Sequence, residues 1–217
     1  SISSLADTRA FLDAHDLILS NGVISLDYDK RKSSRQKKIA DQGFPSDLAT
    51  YKSADELSAA CGLPVKSGGL LFETGAVIQP RQLSGHLAEG VERIYGAQLH
   101  AISGEEGAWI AHCIDGRTFM ADHVVLCSGA DFPELLEAIG YDLGVYQVTS
   151  GQLSILPKTT ELAALQIALN YSGYTTPLIE GKQYLGAGFD PTADIRVSQK
   201  GHFHNLELMP VELRQLA

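Results

Sequence analysis

No stretch of about 18 consecutive apolar residues occurs in this sequence, so no segment is suited to cross a bilayer as a single helix. The first residues, SISSLADTRAF, have neither a basic start nor an apolar core, so a signal peptide is not expected there. Cysteine is scarce. The three, Cys61, Cys113 and Cys127, are far apart, and no CxxC pair offers a zinc or redox site. A disulfide-stapled scaffold is thereby excluded, and a reduced, cytoplasmic protein is the expectation. Positive charge is in deficit, with 17 Lys and Arg against 26 Asp and Glu, a net charge of −9. That balance argues against a general nucleic-acid binder. The glycine fingerprint GxGxxG, which seats a dinucleotide diphosphate on a helix N-terminus, is also missing.

What is present begins with a local exception to the acidity. Lys30, Arg31, Lys32, Arg35, Lys37 and Lys38 crowd into nine residues that contain no acid. Such a cluster reads either as a solvated helix face or as a patch for an anionic partner.

At 217 residues and 44% hydrophobic composition, the chain can bury one sizeable core or two small ones. Apolar spacing predicts a helix over 7–19, stopped at Gly22, and a strand over 23–28. A polar helix is expected over 33–42. Ser53 with Glu56 has the capping-box pattern for a short helix closed by Gly62 and Pro64. A strand over 68–72 precedes a helix that Pro80 can start, filling 81–90. Strands are then expected over 91–95, 98–103, 108–113, 118–120 and 122–127, with turns at 103–107 and 115–116. Residues 132–139 read as a helix, 145–156 as a long strand, and 160–168 as a helix capped by Thr159 or Thr160. Residues 174–179 and 183–189 are expected to pair across Glu180–Gly181–Lys182. A last helix is expected over 205–216. Hairpins with inserted helices imply an α/β, α+β-like fold with a mixed sheet rather than a regular βαβ array.

The first chemically informative run is Val124–Val125–Leu126–Cys127–Ser128–Gly129–Ala130. It reads as a doubly buried apolar strand entering small residues that let a ligand approach the backbone. A buried strand ending in a tight turn accounts for it equally well. Cys127 lacks a visible histidine partner and is expected to be a small buried residue.

The order of four segments is more specific: TGAVIQPRQL, VVLCSGA, SGQLSILPKTTELAAL and NYSGYTTPLIEGKQYLGAGF. It resembles FAD-dependent oxidoreductases of the D-amino-acid-oxidase type, most of all the oxidoreductase half of the bifunctional enzymes that modify wobble uridine in tRNA. The residues carrying the resemblance are Gly151, Gln152, Ser154, Pro157, Gly173, Tyr174, Thr176, Pro177, Gly186 and Ala187, and it spans about 67–216. It implies FAD as cofactor, with Cys127, Ser128 and Gly129 facing its diphosphate and ribose. Ala97, Gln98 and Leu99 would lie against the adenine. The implied reaction oxidises the C–N bond of a 5-carboxymethylaminomethyl-(2-thio)uridine, with hydride transfer to the flavin, imine hydrolysis and release of glyoxylate. Tyr174 and Gln152 are the implied substrate-side residues; otherwise they are a core tyrosine and a cross-sheet pair.

The resemblance implies an internal piece of a two-domain oxidoreductase. Residues 1–66 would be a helical and connecting segment, 67–80 and 144–217 a substrate sheet, and 81–143 an incomplete FAD-binding part. Without a diphosphate cradle, weak FAD binding and no activity are expected of the piece alone. Two alternatives stay open. One is an oxidase of glycine, sarcosine or a D-amino acid with a small amine as substrate. The other is a non-catalytic binding module without flavin. Under the tRNA reading of the substrate, the basic cluster is the candidate contact for tRNA. His202 and His204 lack a third ligand, so no metal site is expected. His86 reads as solvent-facing and Trp109 as packing.

Overall fold

The computed structural model describes residues 2–46, 48–105, 107–142, 144–158, 160–189 and 195–217. They form two units, each described here by itself. The first comprises Ser1–Glu89, Ser150–Asp190 and Asp194–Ala217, and the second is built on Gly90–Thr149.

The first unit is a seven-stranded mixed sheet in the order β2-β3-β1-β8-β9-β10-β7. Its centre is β1 (Ile18–Leu26), antiparallel to β3 (Gly69–Ile78) and parallel to β8 (Ala168–Asn170). The edge strand β2 (Thr50–Lys52) pairs with β3. Ile24 and Leu26 of β1 are fully buried with Leu57, Leu71, Leu169, Leu185 and Leu213 in one core. Ser25 alternates to the opposite face, as the two-residue period of a strand requires.

The helix expected over 7–19 is displaced. Helix α1 runs Ile2–Ala14, and Ile18 and Leu19 belong to β1. Leu17 is completely buried, its N–H bonds to Leu12 O, and Asp16 turns the chain with φ 52°. Burying Leu17 outweighs continuing the helical period. Gly22 ends no helix. At φ 81° it sits where the β1–β3 register slips, forming a bulge inside the strand.

Helix α2 (Lys30–Ala40) starts at the Asp29 cap, whose carboxylate accepts from Lys32 N. Helix α3 (Ala54–Cys61) carries the anticipated reciprocal cap between Ser53 and Glu56, closed by left-handed Gly62. Pro80 opens α4 (Pro80–Leu87), which stops short of residue 90.

Three further expectations are corrected. The long strand over 145–156 shrinks to β7 (Ser154–Pro157), because its ladder partner β10 (Lys182–Gly186) meets only those residues. The helix over 160–168 is a single 3-10 turn, Glu161–Ala164. Leu162 and Leu165 are pinned in the core and Ala168 enters β8. Thr160 makes no side-chain cap, and Thr159 lies outside the described residues. The terminal helix divides into α6 (Gln199–Leu208), capped by Ser198, and α7 (Val211–Arg214), because Pro210 cannot continue the first.

The hairpin between β9 (Tyr174–Thr175) and β10 pairs Thr175 with Leu185 and Tyr174 with Gly186. Its tip is the two-residue turn Glu180–Gly181, both with positive φ, bridged by Ile179 and Lys182.

The second unit is the meander β4 (Leu99–Glu105), β5 (Ala108–Cys113) and β6 (Thr118–Ala121), with α5 (Phe132–Ala138) against β4. Residues 91–95 form no strand. Nor do residues 122–127, where Val125 is 82% exposed and Cys127 is also exposed. Apolar texture makes a strand only when a neighbour accepts its backbone groups, and among the described residues none pairs with this run.

Candidate functional site

In the first unit, glycines bring together residues that are far apart in sequence. A Cβ on Gly186 would lie 2.7 Å from Leu153 and 2.8 Å from the Tyr174 ring. A Cβ on Gly151 would lie 2.8 Å from Gly188 O, and one on Gly173 would overlap Gly186 O. Backbones therefore approach here at distances no side chain allows. The Tyr174 ring and Leu153 converge over Gly186.

Tyr174 is half-buried, and burial raises its phenol above the ordinary range, so it stays neutral near pH 7. Among the described residues its hydroxyl makes no hydrogen bond. A neutral phenol so placed can donate to, or accept from, a bound molecule. Beneath it, Tyr171 is buried, with its hydroxyl 2.5 Å from Thr175 Oγ1. Desolvation pushes the Tyr171 phenol up to about 12.

Gln152 sits beside this cluster, but its amide is committed elsewhere. Nε2 donates to Ser198 O at 3.0 Å, and Oε1 accepts from Ser198 N at 2.9 Å. Gln152 O accepts from Asn205 Nδ2 at 2.7 Å, and that nitrogen also reaches Ser154 Oγ at 3.1 Å. Asn205 Oδ1 accepts from Gly188 N at 3.1 Å, and His202 Nδ1 lies 2.8 Å from Ser154 Oγ. Only 1% of Asn205 is exposed. Sequence reading missed Asn205. An asparagine inside an otherwise helical pattern was the signal available, since such a residue needs a partner for its amide.

The remaining predicted ligand residues lie in the second unit. Ala97 and Gln98 lead into β4, which begins at Leu99, and Gln98 O accepts from Ile114 N. Cys127 and Ser128 precede the 3-10 turn Gly129–Asp131 that runs into α5. The Ser128 Oγ is buried without a hydrogen-bond partner. Gly129, at φ 60°, also lines a cavity of about 340 Å³ with Phe132, Pro133 and Tyr146.

Other residues singled out from sequence have structural surroundings. His202 and His204 lie on α6, and no cluster of three or more His, Cys, Asp or Glu suited to a metal occurs among the described residues. His86 is not purely solvent-facing. Its ring centroid lies 4.7 Å from that of His15 with the planes tilted by 58°, and its Nδ1 is 2.7 Å from Glu89. Trp109 is partly buried in β5.

Comparison with known proteins bears on the fold and the motifs together. The family described as FAD dependent oxidoreductase matches residues 2–212, so the likeness extends through the first 66 residues as well. The tRNA 5-methylaminomethyl-2-thiouridine biosynthesis bifunctional protein MnmC of Aeromonas hydrophila is 29% identical over 178 residues, covering 77% of this chain and 26% of its own length. The protein of the same name from Paraburkholderia phytofirmans is 29% identical over 194 residues, covering 86% of this chain and 29% of its own. The chain therefore spans under a third of these curated relatives. Among solved structures, glycine oxidase from Bacillus cereus superposes with a TM-score of 0.74 at 17% identity, over 94% of this chain and 62% of that one. L-proline dehydrogenase from P. horikoshii gives 0.77 at 13% identity, over 95% and 59%. At those identities the structures speak for the fold alone. With the family match running almost end to end, this chain belongs to the FAD-dependent oxidoreductases of the DAO family.

Proposed function

We propose that this chain is part of an amine oxidoreductase that uses FAD to oxidise a C–N bond. Its proposed substrate is the carboxymethylaminomethyl group of a 5-substituted (2-thio)uridine at the tRNA wobble position. The observation that carries this reading is the glycine-lined cluster around Tyr174. Gly151, Gly173 and Gly186 are motif residues of the resemblance, and here they let three backbone segments come together around a half-buried neutral phenol. The names of the curated relatives support the uridine substrate.

The residues of the second unit are compatible with FAD. A buried hydroxyl without a partner, on Ser128, suits an oxygen-rich group, because a buried polar atom left unpaired costs about 1–3 kcal/mol. Gly129 beside it adds a backbone without a side chain. Ser128, Gly129 and Cys127, with Ala97, Gln98 and Leu99, are the residues that would hold FAD. When bound, FAD supplies the two-electron acceptor. The chain's own contribution is orientation and water exclusion. Tyr174 would hydrogen-bond the substrate from its half-buried position. Gln152, with both amide atoms engaged, would fix the segment carrying Leu153 rather than touch substrate.

The test uses the full-length parent protein. It is expected to show a flavin absorption band, and to release glyoxylate from tRNA bearing the carboxymethylaminomethyl group. Tyr174→Phe should lower kcat/KM about tenfold, roughly one hydrogen bond, with the flavin band retained. Absence of the band, or oxidation of sarcosine, glycine and D-alanine but not of the tRNA, overturns the reading.

A further inference from the structure

The structure turns the basic cluster into a surface with a direction. Gln36 is the buried residue of α2. Its Nε2 donates to Ser25 Oγ at 3.0 Å and its Oε1 accepts from Leu70 N at 2.9 Å, which locks the helix to the sheet. With Gln36 inward, Arg31, Arg35 and Lys38 are all exposed, at the i, i+4, i+7 spacing of one helical stripe. Ser34, also exposed, lies among them, so the outward face carries no apolar side chain.

Two features mark the stripe as more than a solvated face. The first turn of α2 holds Arg31 and Lys32 and no acid beyond the Asp29 cap, at the end where the helix dipole is already positive. Arg31 and Arg35 add like-charge repulsion one turn apart. No ion pair to Arg31, Lys32, Arg35, Lys37 or Lys38 occurs among the described residues. Asp29 and Asp41 stand at the ends of the helix, and Asp27 accepts from the Tyr51 hydroxyl. Repulsion among these cations is relieved when an anion binds. The second feature is aromatic. Lys32 Nζ lies 5.7 Å from the centroid of Tyr28, a half-exposed ring, and Lys37 Nζ lies 5.5 Å from that of Tyr51.

We infer that this face of α2, with Tyr28 beside it, is a docking surface for the sugar–phosphate backbone of RNA. Cations neutralise phosphates, and a flanking ring can stack on an unpaired base. A membrane surface fits less well, because the outward face has no apolar side chain to enter the headgroup region and add to the attraction between cations and anionic lipid. The place of the helix suits a large substrate. It packs on β2 and β3, whereas Tyr174 is on β9, three strand intervals from β3, or about 14 Å across the sheet. A free amine at Tyr174 would not span that distance, but a folded RNA would. The inference rests on the tRNA reading of the substrate and adds where that substrate is held.

The test uses the flavin-loaded full-length protein with unfractionated bacterial tRNA, measuring the dissociation constant across a salt series. Arg31→Glu/Arg35→Glu/Lys38→Glu should weaken binding at least about tenfold and flatten the salt slope by about two. A second variant with glutamine at the three positions should flatten the slope similarly, without introducing negative charge. Both should keep the flavin band and a melting temperature close to wild type, since Arg31 leaves the dipole's positive end while Lys38 leaves its negative end, and the two changes oppose each other. Wild-type affinity and slope in both variants overturn the inference, as does failure of the wild type to bind tRNA. Binding of anionic lipid vesicles in place of tRNA overturns it too. Failure of the substrate reading is seen separately: tRNA binding would still depend on α2, while only free amines were oxidised.

Discussion

The side-chain amide of Gln152 and the backbone of Ser198 close a two-bond ring, at 3.0 Å through Nε2 and 2.9 Å through Oε1. Ser198 is the N-cap of α6, and its own hydroxyl accepts from Gly201 N at 3.0 Å. One glutamine thus holds the start of a helix whose sequence lies more than forty residues away.

Gln152→Ala removes both bonds. Each contributes about 0.5–1.5 kcal/mol, so a loss of roughly 1–3 kcal/mol is expected in urea unfolding. An unfolding midpoint equal to wild type would show that the ring adds nothing.

Asn205→Ala should cost more than Gln152→Ala. Asn205 is buried, and its removal leaves Gly188 N without an acceptor and Gln152 O and Ser154 Oγ without its donor. About 2–4 kcal/mol is expected, because orphaned buried groups lose their solvation without repayment. Asn205→Asp keeps the acceptor for Gly188 N but sets a carboxylate against Gln152 O, so it should rescue little. Full rescue would mean that only the Gly188 bond matters.

Two glycine substitutions separate packing from backbone strain. Gly186→Ala places a methyl into the Tyr174 ring and Leu153, and should cost about 1–3 kcal/mol while shifting the phenol. Gly181→Ala meets nothing within 4 Å but stands at φ 77°, so its cost is about 1–2 kcal/mol of strain at the turn. Turnover by the full-length protein should fall with the first and hold with the second. Equal turnover in both would separate Tyr174 from the chemistry.

Tyr171 makes stability depend on alkaline pH. Its folded pKa, pushed up to about 12, exceeds the ordinary value of 10.0, so the folded state keeps a proton the unfolded chain loses. The contribution is fully present below pH 10 and is lost as pH rises through the folded value. At about 1.36 kcal/mol per unit it amounts to roughly 2–3 kcal/mol. Tyr171→Phe should flatten the fall in melting temperature between those limits. An unchanged alkaline limb would assign the fall to other groups.

Features closed by their own neighbours were legible in the sequence. The Ser53–Glu56 cap, left-handed Gly62, the Ala108–Cys113 strand and the Glu180–Gly181 turn all form as expected, because their hydrogen bonds and φ angles are satisfied within a few residues. Leu17–Leu19 were not legible. Three apolar residues directly after α1 can continue a helical pattern, yet burial at Leu17 and pairing in β1 claim them. The apolar run at 124–127 misled in the opposite way, since composition cannot supply a neighbouring strand. At the candidate site, Tyr174 could be singled out by motif, whereas the commitment of Gln152 to Ser198 could not.

Residue order alone was enough for the family, for the absence of a stretch suited to a membrane-crossing helix, and for the concentration of positive charge at residues 30–38. Each of these is a property of residue order and needs no coordinates. Three-dimensional packing was needed to show that Gln36 turns the stripe Arg31, Arg35 and Lys38 outward, that Gly151, Gly173 and Gly186 close around Tyr174, and that Ser128 buries an unpaired hydroxyl. The reason is the same in each case: burial and hydrogen bonding between distant segments are settled by the packing of the whole unit, which local spacing does not encode.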